Sequence, residues 1–439
     1  MAKVAVIGAG NIELTRKIIS DLFGAAELAG SLHIALHDID PMRLATAEAI
    51  VRRIDSETCA AATIDAHADR RAALADADYV ICQIEVGGLD AAVRDFEIPR
   101  RYGIRQTIGD TLGIGGIFRG LRTAPVLIGI ARDMAELCPQ AWLLSYCDPM
   151  AILCWSTYAA VPDLRVVGIC HSVRDTHSML ADLVGRELAE ITFHTAGVNH
   201  QAFVLTFEAD GRSLYPDLDE AIAADPELRG HVRVELYRRF GFFPTESSEH
   251  AAEYLPWFLR HDREVARLGL PVDEYFRRRG KHLDDYERVR RMLAAGEPVT
   301  ARWKHFEMAS EIIHSLITDR SRTVYVSVPN RGLITNLPAE ACVEVPATVD
   351  ADGIHPQRIG DLPVQLAALN RTFLNVAELT VAAALNPRRS TIHQAAMLDP
   401  STAATLTLPE IAAMCDELIG AHAALLPSLT DVTDDRIVA

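Results

Sequence analysis

Short apolar runs alternate with amphipathic stretches through the first part of the chain. Residues 3–7 form a β-rich apolar run that ends on Gly8-Ala9-Gly10. A helical pattern follows, with Ile12, Ile18, Ile19 and Leu22 among its apolar positions. A second strand is predicted at 33–37, ending at Asp38, and a helix at 41–54. Further buried strands are predicted at 78–83, 141–146 and 166–170, with a helix over 124–138. Strands alternating with helices predict an α/β domain with a doubly wound, Rossmann-type sheet over residues 1–190.

The pattern then changes. Residues 191–198 and 203–207 read as strands in a different setting. The tract 262–296 is helical and rich in Arg, Glu and Asp, which reads mostly as a solvated face. Strands at 323–328 and 341–349 flank a turn at Pro329-Asn330-Arg331-Gly332, and the tail from 359 is largely helical. No linker marks a flexible boundary, so residues 191–439 are expected to form an α+β domain packed tightly on the first.

Composition narrows the functional classes. The chain has 439 residues, 49% apolar and 23% charged, as in an ordinary soluble globular protein. Its formal net charge of -17 opposes a nucleic-acid partner, which needs a basic face. Met1 to Ile7 runs straight into a strand and lacks the features of a signal peptide. No run of about 18 or more apolar residues suggests a membrane span. The eight Cys are scattered without paired spacing, which suits reduced thiols in a cytoplasm.

Gly8 and Gly10 sit between a strand and a helix, where the backbone can approach a pyrophosphate at the helix N-terminus. The third Gly of the usual dinucleotide fingerprint is replaced by Glu13. Asp38, at the end of the second strand, can accept hydrogen bonds from the adenosine ribose and would repel the extra phosphate of NADP. Asp40 is an alternative for that role.

Cys170-His171-Ser172 and Gly197-Val198-Asn199-His200 each follow a predicted strand. A Cys thiolate and a His imidazole can hold a divalent ion and leave positions open for substrate oxygens. Buried core Cys and His residues give the same pattern. Val86-Gly87-Gly88 and the Gly-rich segment 109–116, with Arg119 and Arg122 beyond it, read as loops close to a ligand or as tight turns. Segments 246–250 and 253–258 mix carboxylates with aromatic rings, which suits a sugar site or a core corner.

These segments resemble the family 4 glycoside hydrolases, the NAD- and manganese-dependent group, in its α-galactosidase branch. The resemblance rests on 4–10, 35–41, 106–113, 115–117, 121–123, 170–172, Asn199-His200, 245–250, Glu253-Tyr254, 336–338 and 395–400. It implies a lactate/malate dehydrogenase-like architecture and a homodimer or homotetramer, with the second domain carrying metal, substrate and oligomer contacts. It implies oxidation of a sugar at carbon 3 by NAD+, loss of the carbon 2 proton, departure of the aglycone, water addition and return of the hydride, an exception to two-carboxylate hydrolysis. Gly8, Gly10, Asn11 and Asp38 are then the cofactor-binding residues, and Cys170 and His200 the ligands of Mn2+ or a similar ion. His171 is the candidate acid and Tyr254 the candidate base, with Glu246 and Glu249 behind it. Asp148, Asn199, Asp110 and Arg122 are expected to contact the sugar or orient other groups.

Three positions depart from the family pattern. Asp148 stands where an Asn is usual, Asn11 stands where Ser is frequent, and segment 328–332 differs. Arg331 or Arg119 can pair with a carboxylate, so an α-uronide competes with the α-galactoside. The other classes carried are a plain NAD-dependent dehydrogenase, which needs no metal, and a nucleotide-sensing protein, which needs no Cys/His pair.

Overall fold

The structure is a computed structural model and describes residues 1–301 and 306–430. The helical reading of the tail beyond residue 430 lies outside the described residues. Among the described residues, β1 (Ala2–Ile7), β2 (Leu32–His37), β3 (Thr63–His67), β4 (Tyr79–Cys82), β5 (Trp142–Ser145) and β6 (Arg165–Gly168) pair in parallel. Their spatial order is β3-β2-β1-β4-β5-β6, the dinucleotide-binding order with its reversal between β1 and β4. The inner strands are apolar on both faces because helices cover both; Val4, Ala5, Val6 and Ile7 are all buried. Helix Ile12–Gly24 buries Ile12, Ile18, Ile19 and Leu22 along one stripe against that sheet.

The sheet does not stop at β6. Antiparallel strands β11 (Arg322–Pro329), β12 (Cys342–Asp350), β7 (Thr192–Val198), β8 (Gln201–Ala209) and β10 (Phe243–Pro244) extend it in that order. Ser327 on β11 pairs with Gly168 on β6, and Glu344 on β12 pairs with Gly197 on β7. The short β9 (Arg212–Ser213) and β13 (Gly353–Pro356) flank β8 and β12. Residue 190 lies in a short 3-10 turn, Leu188–Glu190, just before β7. A main hydrophobic core spans the sheet, and a smaller one lies under β8 and helix Tyr215–Ala224.

Two local features differ from the pattern reading. Strand β3 pairs only with β2 and is mostly half-exposed, so its sequence TIDAH carries little apolar signal. The helix expected from residue 124 begins at Gly113 and runs to Leu137. Its first turn therefore contains the glycines read as a loop. They are needed because segment 109–111 packs directly on that turn; a Cβ on Gly116 would lie 2.6 Å from the Thr111 carbonyl carbon. This helix is long and apolar enough to cross a membrane, but 78% of its apolar window is buried inside the protein, as in a core helix.

Candidate active site

The carboxyl ends of β1, β2 and β4 open onto a cleft of about 970 Å3. Gly8, Gly10, Asn11 and Asp38 all line it. Gly10 donates its N–H to Asp38 Oδ2 at 2.8 Å, and a Cβ at Gly10 would lie 2.6 Å from that oxygen. Only glycine leaves room for the carboxylate and the turn together. Asp40 instead caps the helix Pro41–Thr58, accepting from Met42 and Arg43 N–H, so it is spent on the helix end. The acidic–basic helix Glu274–Ala294 forms the opposite wall through Arg279, His282, Leu283 and Tyr286, so one face of that tract is part of a cleft and not solvated surface. Arg43 lies over the Tyr286 ring at 4.8 Å.

A second cleft, of about 620 Å3, adjoins the first. Asn11, Gln83, Ile84, Glu85, Arg279 and His282 line both. Cys170, His171, His200, Asp148 and Asp110 line this second cleft. Cys170 follows β6, and His171 precedes helix Ser172–Leu183. Asn199 and His200 form the two-residue turn of the β7–β8 hairpin, where His200 takes φ 65°, a backbone state for which short hairpin turns select. Cys170 Sγ lies 3.2 Å from His200 Nε2. Burial alone would lower the His200 pKa, but Cys170 and then Asp148 raise it to about 10. The pair sets a soft sulfur and an imidazole nitrogen within reach of one ion, a donor set that fits a divalent cation. Asp110, His200 and His250 also bring ligand atoms within 4.8 Å of one another.

The groups around this pair are ordered by segment 106–111. Glu253 accepts the N–H groups of Thr107, Ile108 and Gly109 at 2.6, 3.0 and 2.9 Å, which fixes the loop carrying Asp110 and Thr111. Thr111 Oγ1 then meets His200 Nδ1 at 2.9 Å and sets the ring orientation. His250 is held by Asp110 and Glu246, each at 3.2 Å. Burial would raise the Glu246 carboxyl, but His250 and His200 outweigh it and hold the group well below its usual range. Asp148 is pushed up by burial, partly offset by His200, and its Oδ1 has no hydrogen-bond partner.

Three expected residues do not reach the cleft. Tyr254 is 1% exposed, and its hydroxyl lies 3.4 Å from Nδ1 of His200, on the side of the ring away from Cys170. Burial, then Asp110, raises its phenol well above the ordinary value. Asn199 is buried and donates to Glu344 Oε1 at 3.2 Å. Arg122 is buried in an ion pair with Asp95 at 2.7 Å and donates to the Val86 carbonyl at 2.9 Å. It braces the Val86-Gly87 turn from behind. His171 Nε2 lies 2.5 Å from Glu307 Oε1, which also accepts from the Tyr146 hydroxyl at 3.0 Å. His250 lies in the segment 246–250 already singled out, whereas Glu307, Glu85 and Tyr275 carry no motif of their own and meet their partners through long-range packing that periodicity cannot reveal.

Comparison with known proteins agrees with this arrangement. The family 4 glycosyl hydrolase model matches residues 3–186, and the C-terminal domain model of the same family matches residues 195–402. An alpha-galactosidase of Bacillus subtilis is 41% identical over 97% of this chain and 99% of its own length. An alpha-galactosidase of Rhizobium meliloti is 34% identical over 98% of this chain and 90% of its own. A solved 6-phospho-alpha-glucosidase from gut microorganisms, in complex with NAD and Mn2+, superposes with TM-score 0.82 at 19% identity, covering 98% of this chain and all of that one. Two family models that together span most of the sequence, and relatives that match end to end, place this chain in glycosyl hydrolase family 4.

Proposed function

We propose that this chain hydrolyses α-galactosides with NAD+ and a divalent ion, Mn2+ by preference. The observation that carries the reading is the shared wall of the two clefts. A dinucleotide lying along the glycine turn ends where the Cys170/His200 pair begins. The alpha-galactosidase relatives support the sugar. When bound, NAD+ supplies a hydride acceptor for carbon 3 of the sugar, and an ion held by Cys170 and His200 supplies a Lewis acid.

The chain's own groups do the rest. Asp38 accepts from the adenosine ribose hydroxyls. Asp148 and Asp110 hold sugar hydroxyls beside the ion. Glu246 is a carboxylate throughout the neutral range and takes the proton from carbon 2, a role that passes to it from Tyr254 because Glu246 lines the cleft. His171, at the cleft wall and tethered to Glu307, gives a proton to the glycosidic oxygen. Tyr254 and Asn199 act through their neighbours. The free, mostly buried thiols fit a reducing cytoplasm. A homodimer or homotetramer is the assembly that the family resemblance implies, and light scattering on the purified protein measures it.

The test is an assay with nitrophenyl α-galactoside and nitrophenyl α-glucuronide, with and without Mn2+, NAD+ and a thiol reductant. Hydrolysis of the galactoside that requires NAD+ but accumulates no NADH is expected. Stoichiometric NADH release without aglycone would identify a dehydrogenase instead.

A further inference from the structure

The seam between the two clefts carries a carboxylate that neither the glycine turn nor the Cys/His pair uses. Glu85 follows β4 and lines both clefts. Arg119 Nη1 lies 3.3 Å from its Oε1, and Arg279 Nη1 lies 2.8 Å from its Oε2. Tyr275 donates its hydroxyl to Oε1 at 2.6 Å. The side chains of Glu85, Arg119 and Arg279 are only 21%, 14% and 28% exposed, so water screens them little.

Arginine is the side chain best suited to a sugar carboxylate, because its fork meets both oxygens. Among the described residues, three of the four arginines on the sugar cleft are held in ion pairs, and the fourth, Arg233, faces no carboxylate within ion-pair distance and has a buried, unpartnered Nε. Arg119 and Arg279 face Glu85. Arg278 lies 3.2 Å from Glu274 and 3.6 Å from Glu249. Arg233 donates to Thr176 at 3.2 Å and lies over the Phe243 ring at 5.2 Å, with the charges of Glu246 and Glu249 nearby. The carboxylate of an anionic sugar brought to this seam would have to compete with Glu85 for guanidinium groups that Glu85 already holds. A neutral sugar can instead donate a hydroxyl to the carboxylate's remaining lone pairs.

We infer that Glu85 sets the charge class of the substrate: by holding Arg119 and Arg279 it keeps the cleft for uncharged α-glycosides and turns uronides away. This rests on the hydrolase reading above.

The test uses the holoenzyme with NAD+, Mn2+ and reductant, and compares kcat/KM for nitrophenyl α-galactoside and nitrophenyl α-galacturonide. A ratio within one preparation is independent of the folded fraction. Glu85→Gln is expected to shift the ratio toward the galacturonide by roughly 100-fold, the scale on which an unpaired buried charge acts. Arg279→Gln, on a partly exposed helix face, leaves Glu85 less compensated and is expected to shift it the other way. Ratios unchanged in both variants, or a wild type that prefers the galacturonide, would overturn the role of Glu85 while leaving the hydrolase reading intact. A wild type that cleaves neither substrate removes the hydrolase reading itself, and the inference with it.

Discussion

The sulfur of Cys170 and Nε2 of His200 stand 3.2 Å apart across the carboxyl ends of strands from the parallel and antiparallel halves of the sheet. Neither donor suffices alone, since a single soft ligand leaves a divalent ion mostly hydrated. Cys170→Ser and His200→Gln are each expected to lower Mn2+-dependent hydrolysis by more than about 100-fold, beyond the range seen for groups that merely orient a ligand. The check is independent of turnover: Co2+ added to the wild type should give a thiolate charge-transfer band that Cys170→Ser lacks. Full activity in either variant would remove that residue as a ligand.

Tyr254 tests the difference between acting on the sugar and acting through a neighbour. Its hydroxyl lies 3.4 Å from Nδ1 of His200, beside the 2.9 Å contact of Thr111. Tyr254→Phe is expected to lower activity roughly 10–100-fold, the cost of a loosened orienting contact. Raising the Mn2+ concentration should restore most of it. A loss that excess metal leaves untouched would put Tyr254 back among the groups that move protons.

How much of this was legible in the sequence depends on how local each signal is. The glycine turn, Asp38, Cys170 and His200 each sit at a strand end that hydrophobic runs mark out, and all of them reach the clefts. Edge strand β3 lacked that signal because only one neighbour covers it. The charged tract 262–296 reads as solvated because Arg, Glu and Asp dominate its composition. Its Leu283, Tyr286 and Val289, spaced three apart, line the cleft beside Arg279, a short apolar stripe that the surrounding charges mask. Arg122, near a glycine-rich segment, reads equally as a ligand donor or as an orienting group, and only its packing against Asp95 and the Val86 carbonyl shows the bracing role. Glu307 and Glu85 meet their partners from far along the chain, so nothing short-range announces them.

Asp38 gives a cofactor-specific outcome. Its Oδ2 accepts the Gly10 N–H at 2.8 Å, and it lines the cleft at the end of β2, where the proposed function puts the adenosine ribose. Removing a charged acceptor of this kind costs about 1.5–3 kcal/mol. Asp38→Ala should therefore raise the Kd for NAD+ by roughly 10–100-fold. The Kd for NADP+ should rise less or fall, because the repulsion of its extra phosphate goes with the carboxylate. Titration by protein fluorescence measures both. Equal shifts for the two cofactors would remove Asp38 from the ribose site.

Glu344 makes the stability of the protein pH-dependent in a direction opposite to that of most carboxylates. It lies on β12, fully buried, and receives one hydrogen bond, from Asn199 at 3.2 Å. Its Oε2 and the Oδ1 of Asn199 are both buried without a partner, two acceptors that lack a donor. Burial raises the carboxyl from its ordinary value of 4.5 to about 7, with Asn199 and His200 pulling the other way. The folded protein therefore keeps this proton over a range in which the unfolded chain has released it. The stabilising contribution is full below the ordinary value and is lost as the pH rises through the folded one, by up to about 3 kcal/mol. Glu344→Gln supplies a permanent amide donor and no charge. Relative to the wild type it should gain stability from pH 5 to about pH 7 and level off above that, read as the difference in denaturation midpoint at each pH. Parallel profiles would mean that Glu344 is already ionised in the folded protein, and that a proton or an ion from the Cys170/His200 pair balances its charge.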